Sequence, residues 1–178
     1  MMKKIRTPLN IKEIASLKFG DEIALSGVIY TARDQAHKRL VKDMGRGRGK
    51  GLPFDIKNAV IYYSGPAKTP KGRIIGSCGP TTASRMDAFS PFLIKSGLKF
   101  MIGKGGRSKE VTGAIKKYRG VYFVTYAGCG ALLSKFVRKA KVVAFKDLGP
   151  EAIFKLEVKD FPLIVAVDSY GRSIYGQD

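Results

Sequence analysis

Segments rich in β-branched and aromatic residues recur along the chain, and several are separated by stretches of helical character. This alternation limits the fold more than any other feature, because each strand needs neighbours in a sheet and each helix needs a sheet face to cover. The predicted strands cover residues 22–32, 58–65, 73–77, 99–103, 120–128, 140–147, 152–160 and 163–169. The predicted helices cover residues 33–44, 81–97, 108–118 and, with a weaker pattern, 128–137.

The order of these segments predicts one α/β domain over residues 1–178. Strands and helices alternate in the middle of the chain, whereas the ends are mostly strand, which indicates a mixed rather than a purely parallel sheet. A length of 178 residues with 44% hydrophobic content is sufficient for one substantial core. No internal repeat or linker divides the chain.

The net charge is strongly positive. Lysine and arginine number 33 against 14 acidic residues, a formal net charge of +19. Such an excess predicts an acidic partner, a polyanion or an anionic substrate. The basic stretch "GRGRGKG" at 45–51 is open to two interpretations, a nucleic-acid-binding segment or a loop between a helix and the next strand, and its short length favours the loop.

Cysteine, histidine and hydropathy exclude several classes of protein. The two cysteines, Cys78 and Cys129, are far apart and the single histidine is His37, so neither a disulfide framework nor a zinc site is expected. The first ten residues lack the apolar run of a signal peptide, and no stretch approaches the roughly 20 apolar residues that span a bilayer. We therefore expect a cytoplasmic protein with no membrane partner.

The stretch "TARDQAHKR" (31–39) follows a predicted strand and opens a predicted helix. Helical spacing places Arg33 and His37 on one face, at the strand end where α/β sheets commonly bind ligands. The alternative interpretation is a solvated basic helix start.

The stretch "SCGPTTASRMD" (77–87) predicts a helix start after Pro80. Free backbone N–H groups and the hydroxyls of Thr81 and Thr82 would form an anion pocket there, and Arg85 would add a planar clamp for a carboxylate. The alternative is an ordinary threonine cap beside an exposed arginine. Cys78, with no histidine nearby in sequence, is interpreted as a buried structural thiol.

The stretch "FMIGKGGRSKE" (100–110) combines a short strand, a glycine-rich turn, Lys104 and a helix that begins at a serine. It is only loosely similar to a phosphate-cradling loop and lacks the spacing of the nucleotide-binding motif. Nucleotide binding is therefore not predicted.

Five segments, "SGVIYTARDQAHKR", "LPFDIKNAVIYYSGP", "GPTTASRMD", "MIGKGG" and "FPLIVAVDSYGRSIY", together resemble the β part of class I iron–sulfur fumarate hydratases and the related L-tartrate dehydratases. The resemblance extends from about residue 22 to 175 and depends on the order and spacing of all five segments. It implies a swivelling β/β/α domain with a mixed sheet flanked by helices. It also implies that a separate α subunit holds a [4Fe–4S] cluster through three cysteines, which two cysteines here cannot do.

The resemblance also implies roles for individual residues. Thr81 is the candidate base at the carbon next to a substrate carboxylate. Three cations, Arg33, Arg85 and Lys104, would hold the carboxylates of a four-carbon diacid and stabilise the extra negative charge of the aci-carboxylate. His37 and Thr82 are candidate supporting residues, and the acidic proton donor and the Lewis-acid iron would come from the partner subunit.

The function implied by the resemblance is that of the β subunit of a hydro-lyase that interconverts fumarate and L-malate and is active only with its α subunit in a higher hetero-oligomer. L-tartrate dehydration is the close alternative. A distant alternative is a basic nucleic-acid-binding module, although no RNA-recognition or zinc-finger signature is present. A third is a structural chain that docks on an acidic partner without contributing catalytic residues.

Overall fold

The computed structural model describes residues 2–45, 52 and 54–176. Seven strands lie in this part of the chain: β1 Lys3–Arg6, β2 Glu22–Thr31, β3 Val60–Tyr62, β4 Phe100–Gly103, β5 Val121–Val124, β6 Val137–Ala144 and β7 Ile153–Val167. The α-helices are α1 Ile11–Ser16, α2 Asp34–Gly45, α3 Ser90–Lys95, α4 Lys109–Tyr118 and α5 Gly130–Leu133. Short 3-10 turns cover Ile56–Asn58, Ala83–Met86, Ser134–Phe136 and Lys146–Glu151.

The strands form one mixed sheet that closes on itself. Its order is β1-β2-β3-β4-β5-β7-β6, and an additional pairing joins β2 to β7, so that β2, β3, β4, β5 and β7 form a five-stranded barrel. Strands β1 to β5 run parallel, while β7 is antiparallel to β2, β5 and β6. The predicted α/β class and mixed sheet are confirmed.

Side-chain alternation along the strands produces two cores. Val60 and Tyr62 belong to a cluster with apolar residues of the other barrel strands, whereas Ile61 and Tyr63 belong to a second cluster that includes residues of α2, α3 and α4. Successive residues of a strand point to opposite faces, so one face fills the barrel and the other is covered by helices. Burying one such side chain contributes about 1.5–3 kcal/mol to folding.

Two of the predicted helices form close to their expected bounds. α2 covers Asp34–Gly45, and α4 covers Lys109–Tyr118 with Ser108 as its N-cap, where the hydroxyl accepts the N–H of Val111 at 3.3 Å. The C-cap of α4 is Arg119, which adopts the left-handed conformation with φ 57°. Residues 46–51 of the basic "GRGRGKG" stretch lie outside the described residues.

Other predicted elements are wrong in part. Residues 73–77 form no strand, because the chain folds back there and Ala67 donates its N–H to Ser77 O. The two segments 152–160 and 163–169 are one strand, β7, which continues through a residue with positive φ, Asp160, and through Pro162. β1 and α1 were not predicted, because segments of four and six residues are too short to show a recognisable hydrophobic period.

Two predicted helices are much shorter than expected. The segment 81–97 is divided into a 3-10 turn, Ala83–Met86, and α3, which has Pro91 in its first turn. The segment 128–137 contains only α5 and the following 3-10 turn. None of the helices within the described ranges is long and apolar enough to cross a membrane.

Candidate active site

The candidate site lies where the parallel strands β2, β3 and β4 end. Sheet-type pairing continues just past these strands, since Ala32 N–H donates to Tyr62 O at 3.0 Å and Tyr63 N–H donates to Ile102 O at 2.8 Å. Arg33 follows β2 and Lys104 follows β4, so both cations emerge from the same edge of the barrel. The carboxyl edge of parallel strands is where α/β proteins commonly bind ligands.

The segment that carries Thr81 is inserted between the ends of β3 and β4. Thr81 N–H donates to Tyr63 O at 2.6 Å, Lys104 N–H donates to Thr81 O at 3.2 Å, and Ala83 N–H donates to Lys104 O at 2.8 Å. Thr82 and Lys104 thereby form an isolated parallel bridge. The structure therefore brings Thr81, Thr82 and Lys104 together through the backbone.

The helix start predicted directly after Pro80 is wrong, because the first helical turn is the 3-10 turn Ala83–Met86. Thr82 has non-helical backbone angles, φ −56° and ψ 119°, and its side chain makes no capping bond. The N–H groups of Thr81 and Ala83 are consumed by the sheet-type bonds to Tyr63 and Lys104. These two N–H groups are therefore not available to an anion, whereas the Thr82 N–H makes no hydrogen bond within the described residues, and the anion pocket stays a prediction.

Two of these side chains are available to a ligand. The Thr81 and Lys104 side chains are half-buried, and Thr82 is exposed. Within residues 2–45, 52 and 54–176, the Thr81 hydroxyl makes no hydrogen bond and the Lys104 ammonium makes neither a hydrogen bond nor an ion pair. A hydroxyl and a cation of this kind can both engage a substrate without breaking an existing contact.

The two arginines converge on Asp34, the first residue of α2. Arg85 donates from Nε and Nη2 to the two carboxylate oxygens of Asp34 at 3.0 and 2.9 Å. Arg33 Nε lies 3.7 Å from Asp34 Oδ2, and its Nη2 lies 3.8 Å from Glu151 Oε1. Asp34 was not predicted as a site residue, although an acidic residue in the first helical turn directly after Arg33 was a usable signal.

Arg33 has an unsatisfied donor. Its Nε is buried and has no hydrogen-bond acceptor among the described residues, although the Asp34 carboxylate is within ion-pair distance. Gly65 makes room for this side chain, because a Cβ there would lie 2.9 Å from Arg33 Cδ. A buried N–H of a cation without an acceptor is costly, because it has lost its hydrogen bonds to water.

His37 lies beneath Arg33 and not in the open part of the site. The ring is fully buried and its Nδ1 lies 2.9 Å from Arg33 O, so Nδ1 carries the proton and donates it, because a carbonyl only accepts. Burial lowers the pKa of His37 to about 4, and the charge of Arg107 acts in the same direction. The imidazole is therefore neutral at pH 7, and its Nε2 has no hydrogen-bond partner within the described residues.

The cysteines do not match the ligand set of an iron–sulfur cluster. Cys78 is buried with its sulfur 3.2 Å from Ser64 Oγ, and burial raises the pKa of its thiol to about 11, whereas a cluster ligand must be a thiolate. Cys129 is half-buried at the start of α5. Across the described residues, no three His, Cys, Asp or Glu side chains are grouped to hold a metal ion. The residues present in this part of the chain therefore do not fit such a cluster.

Comparisons with known proteins connect this chain to one family. The family model described as Fumarase C-terminus matches residues 2–178. The chain is 43% identical over 173 residues to the putative L(+)-tartrate dehydratase subunit beta of Methanocaldococcus jannaschii, which covers 94% of this chain and 88% of that protein. It is 31% identical over 183 residues to the L(+)-tartrate dehydratase subunit beta of Escherichia coli K12, which covers 100% of this chain and 89% of that protein.

Fumarate hydratases form the second group of relatives. The chain is 41% identical over 169 residues to the aerobic class I fumarate hydratase of Salmonella typhimurium, which covers 94% of this chain but only 29% of that enzyme. The chain thus spans less than a third of the length of the fumarate hydratases that it matches. The match of the family model over nearly the whole chain, together with relatives of similar length, shows that the chain belongs to the Fumarase C-terminus family.

Proposed function

We propose that the chain is the β subunit of a hydro-lyase that interconverts fumarate and L-malate together with a separate α subunit. Relatives named as fumarate hydratases and as tartrate dehydratase subunits support the hydro-lyase class, and the word subunit in the latter names supports a partner chain. The observation that carries the proposal is the edge of the barrel at which the unengaged Thr81 hydroxyl and Lys104 ammonium lie, with Arg33 and Arg85 joined through Asp34.

The cations have the chemistry to bind a dicarboxylate. Arg85 uses Nε and Nη2 for Asp34, and its Nη1, which has no partner among the described residues, would bind a substrate carboxylate. Arg33 adds a second guanidinium beside Asp34. Lys104 adds a point charge without an internal partner among the described residues. These groups would stabilise the aci-carboxylate more than the substrate, because its carboxylate carries additional negative charge.

Thr81 would act as the base in this proposal. Its oxygen would take the proton from the carbon next to a carboxylate, so that a C–H bond breaks, an O–H bond forms and the electron pair moves into the aci-carboxylate. A hydroxyl is a weak base, so the oxygen must first lose its own proton, and nearby cations favour the deprotonated form. No side chain in the described part of the chain hydrogen-bonds to the Thr81 hydroxyl, so the acceptor of that proton would come from the substrate or the partner subunit.

The same edge of the barrel would face the partner. Thr125 N–H donates to Gly103 O at 3.1 Å, which places the following residue, Tyr126, beside the Lys104 strand end. Tyr126, Leu132 and Ile74 expose 48%, 47% and 53% of their surface. We assign the [4Fe–4S] cluster and the acidic proton donor to the α subunit, and we expect an acidic rim on it because this chain has a net charge of +19. The swivelling motion, the higher hetero-oligomer and the cytoplasmic location are part of the same proposal.

Tartrate dehydration is the second candidate, because a relative that is 43% identical and similar in length is named as a putative tartrate dehydratase subunit. Both activities need two carboxylate sites and a base, and they differ in one additional substrate hydroxyl. Turnover of fumarate, L-malate and L-tartrate in parallel by the reconstituted complex distinguishes them. We expect fumarate and malate to be interconverted faster than tartrate is dehydrated.

The decisive experiment compares the purified chain alone with the chain combined anaerobically with its cluster-bearing α subunit. We expect fumarate hydration only in the combined sample, and its loss on exposure to oxygen or iron chelation without unfolding of this chain. Comparable turnover by the iron-free chain alone would overturn the two-subunit proposal.

A further inference from the structure

A single buried arginine connects the two segments that carry the candidate site residues. Arg107 follows Lys104 by three positions, and its side chain is 0% exposed. Its main partner is Asp87, which directly follows the 3-10 turn Ala83–Met86 and therefore belongs to the segment of Thr81 and Arg85. Burial of a charge at this position demands a complete set of partners.

All three nitrogens of the Arg107 guanidinium donate hydrogen bonds. Nε donates to Asp87 Oδ1 at 2.7 Å, Nη1 to Tyr63 Oη at 3.1 Å and Nη2 to Ser90 Oγ at 2.6 Å. The rings of Tyr63 and Tyr122 pack against it, with centroids 5.3 and 4.9 Å from Cζ. Only a planar group with donors in several directions can make these bonds at once.

The second carboxylate oxygen of Asp87 fixes the helix that follows the glycine-rich loop. Asp87 Oδ2 accepts the N–H of Ser108, the N-cap of α4, at 2.7 Å. The glycine-rich loop after Lys104 is loosely similar to a phosphate cradle, but the first N–H group at the start of α4 is bonded to the Asp87 carboxylate of the same chain. Such a position favours an anion because of the helix dipole and the free N–H groups, and the chain supplies that anion itself.

Lys104 is consequently held from both sides. On one side, Lys104 N–H donates to Thr81 O and Lys104 O accepts the N–H of Ala83, which joins the two segments. On the other side, Arg107 and Ser108 both donate to Asp87 and join the segments a second time. Between these ties, Tyr122 Oη donates to Gly105 O at 2.8 Å. The two segments cannot shift relative to each other without breaking a buried charged contact.

We infer that Arg107 is a positioning residue that sets the placement of the Thr81 hydroxyl relative to the Lys104 ammonium. The inference rests on the proposed function, in which Thr81 is the base and Lys104 binds a substrate carboxylate. It adds a residue that touches no substrate and acts through Asp87. Small misplacement of reacting groups lowers the rate strongly, so the buried ties would determine catalytic competence as well as stability.

The test uses Arg107→Lys, which keeps the charge beside Asp87 but loses the planar set of donors, and Ser90→Ala, which removes one acceptor. In the reconstituted complex, we expect Arg107→Lys to lower kcat by about 100-fold with a smaller change in KM, because positioning affects the transition state most. Ser90→Ala should fall between Arg107→Lys and the wild type. All rates are measured per folded molecule.

The control is Asp168→Asn, which removes a carboxylate that is also buried and bonded to an arginine, Arg172, at 2.7 Å. Asp168 accepts bonds from Phe19, Tyr170 and Arg172, and among the described residues its side chain makes no hydrogen bond to the segments that carry Thr81, Arg85 and Lys104. We expect it to lose thermal stability while kcat and KM per folded molecule stay unchanged. A purely structural role of Arg107 would give the same result as this control.

A second measurement is independent of activity. Hydrogen–deuterium exchange on the chain alone reports the N–H groups of Ala83 and Lys104, which bond across the two segments, and that of Tyr63, which bonds within the barrel. In Arg107→Lys we expect loss of protection at Ala83 and Lys104 with protection of Tyr63 retained. Unchanged kcat per folded molecule would overturn the inference, as would unchanged protection at Ala83 and Lys104. An inactive wild-type complex would contradict the proposed function instead. The exchange result would then still show whether Arg107 holds the segments of Thr81 and Lys104 in place.

Discussion

At the scale of single residues, the candidate site is notable for groups without partners. The Thr81 hydroxyl and the Lys104 ammonium are unengaged within the described ranges, and Arg33 Nε is buried without a hydrogen-bond acceptor. Folded proteins satisfy most buried polar groups, so the Arg33 Nε is an exception. Arg85 differs, since its fork is already occupied by Asp34.

Thr81→Ala should lower kcat in the reconstituted complex by about 1,000-fold, within the range that general acid–base groups contribute. KM should change little, because the hydroxyl acts mainly in the transition state. Thermal stability should also be retained, because the hydroxyl makes no hydrogen bond among the described residues. Thr82→Ala, at the exposed neighbour, is the matched control and should remain close to wild type. Near-normal kcat of Thr81→Ala would refute the assignment of the base.

Arg85→Lys keeps the positive charge but loses the bidentate contact with Asp34 and the free Nη1 beside it. We expect kcat/KM to fall by about 10- to 100-fold, equivalent to the roughly 1.5–3 kcal/mol of hydrogen bonds to a charged group. Arg39→Lys is the control, because Arg39 makes a similar two-bond contact with Asp147, at 2.8 Å for each bond, and is not a candidate site residue. Equal activities of the two variants would show that Arg85 is an ordinary surface cation.

At the scale of elements, the site depends on how α2 and the inserted Thr81 segment meet the barrel. α2 contributes Asp34 at its first residue and packs Ala36, His37 and Leu40 against the barrel. The Thr81 segment extends the sheet between β3 and β4, and so the site residues are fixed by sheet hydrogen bonds. A rigid element beneath each group keeps its position more constant than a free loop would.

The buried His37 in α2 should make the protein sensitive to acid. The unfolded chain has a histidine pKa near 6.5 and the folded chain about 4, so between these values only the unfolded form binds the proton. The free energy of unfolding should therefore decrease as pH falls from about 6.5 to 4, in total by about 3 kcal/mol, with no contribution above this window.

Denaturant unfolding of wild type and His37→Leu at several pH values measures this effect. The variant should show a weaker pH dependence across that window, by at most about 1.4 kcal/mol per pH unit, which corresponds to one proton. Lys38→Gln, at an exposed position of the same helix, should keep the wild-type slope. Identical slopes for wild type and His37→Leu would contradict the neutral, buried state of the imidazole.

At the scale of the whole molecule, the charge excess and the closed barrel have different consequences. The barrel leaves β1 and β6 as the outer strands of the sheet, and both carry several lysines or arginines, which oppose pairing with another sheet edge. The net charge of +19 favours any acidic partner, and it does not by itself distinguish a protein surface from a nucleic acid.

Salt dependence separates these two partners. We expect the chain to bind single-stranded or duplex oligonucleotides only weakly, with affinity that falls steeply as salt rises, because generic phosphate contacts release counterions. The affinity is measured at increasing salt for several oligonucleotides of unrelated sequence, and the affinities are compared with one another. A sequence-selective complex that persists at physiological salt would favour the nucleic-acid-binding alternative over the enzyme.

The α/β class, the long helices α2 and α4 and the family could be predicted from the sequence. The class and the helices follow from local signals, such as strand composition, helix periodicity and the serine cap, and the family follows from the order of five short segments. The sequence also predicted that Arg33, Thr81, Arg85 and Lys104 belong to one site, and their roles remain predictions. Local signals failed in part at 81–97, where the pattern favoured one helix. Backbone bonds to Tyr63 and Lys104 hold the start of this segment in sheet-type pairing, and only a 3-10 turn and α3 follow.

The contacts of these residues could not be predicted from the sequence and are visible only in the folded chain. The closure of the barrel through the pairing of β2 with β7, the shared use of Asp34 by two arginines and the buried Arg107 beside Asp87 all join residues far apart in sequence. Nothing in the residues near Arg107 reveals that its charge is buried, because burial depends on which side chains other segments bring to it. Contact across the fold is set by packing, and for that reason the sequence could propose candidate site residues but not the partners that hold them.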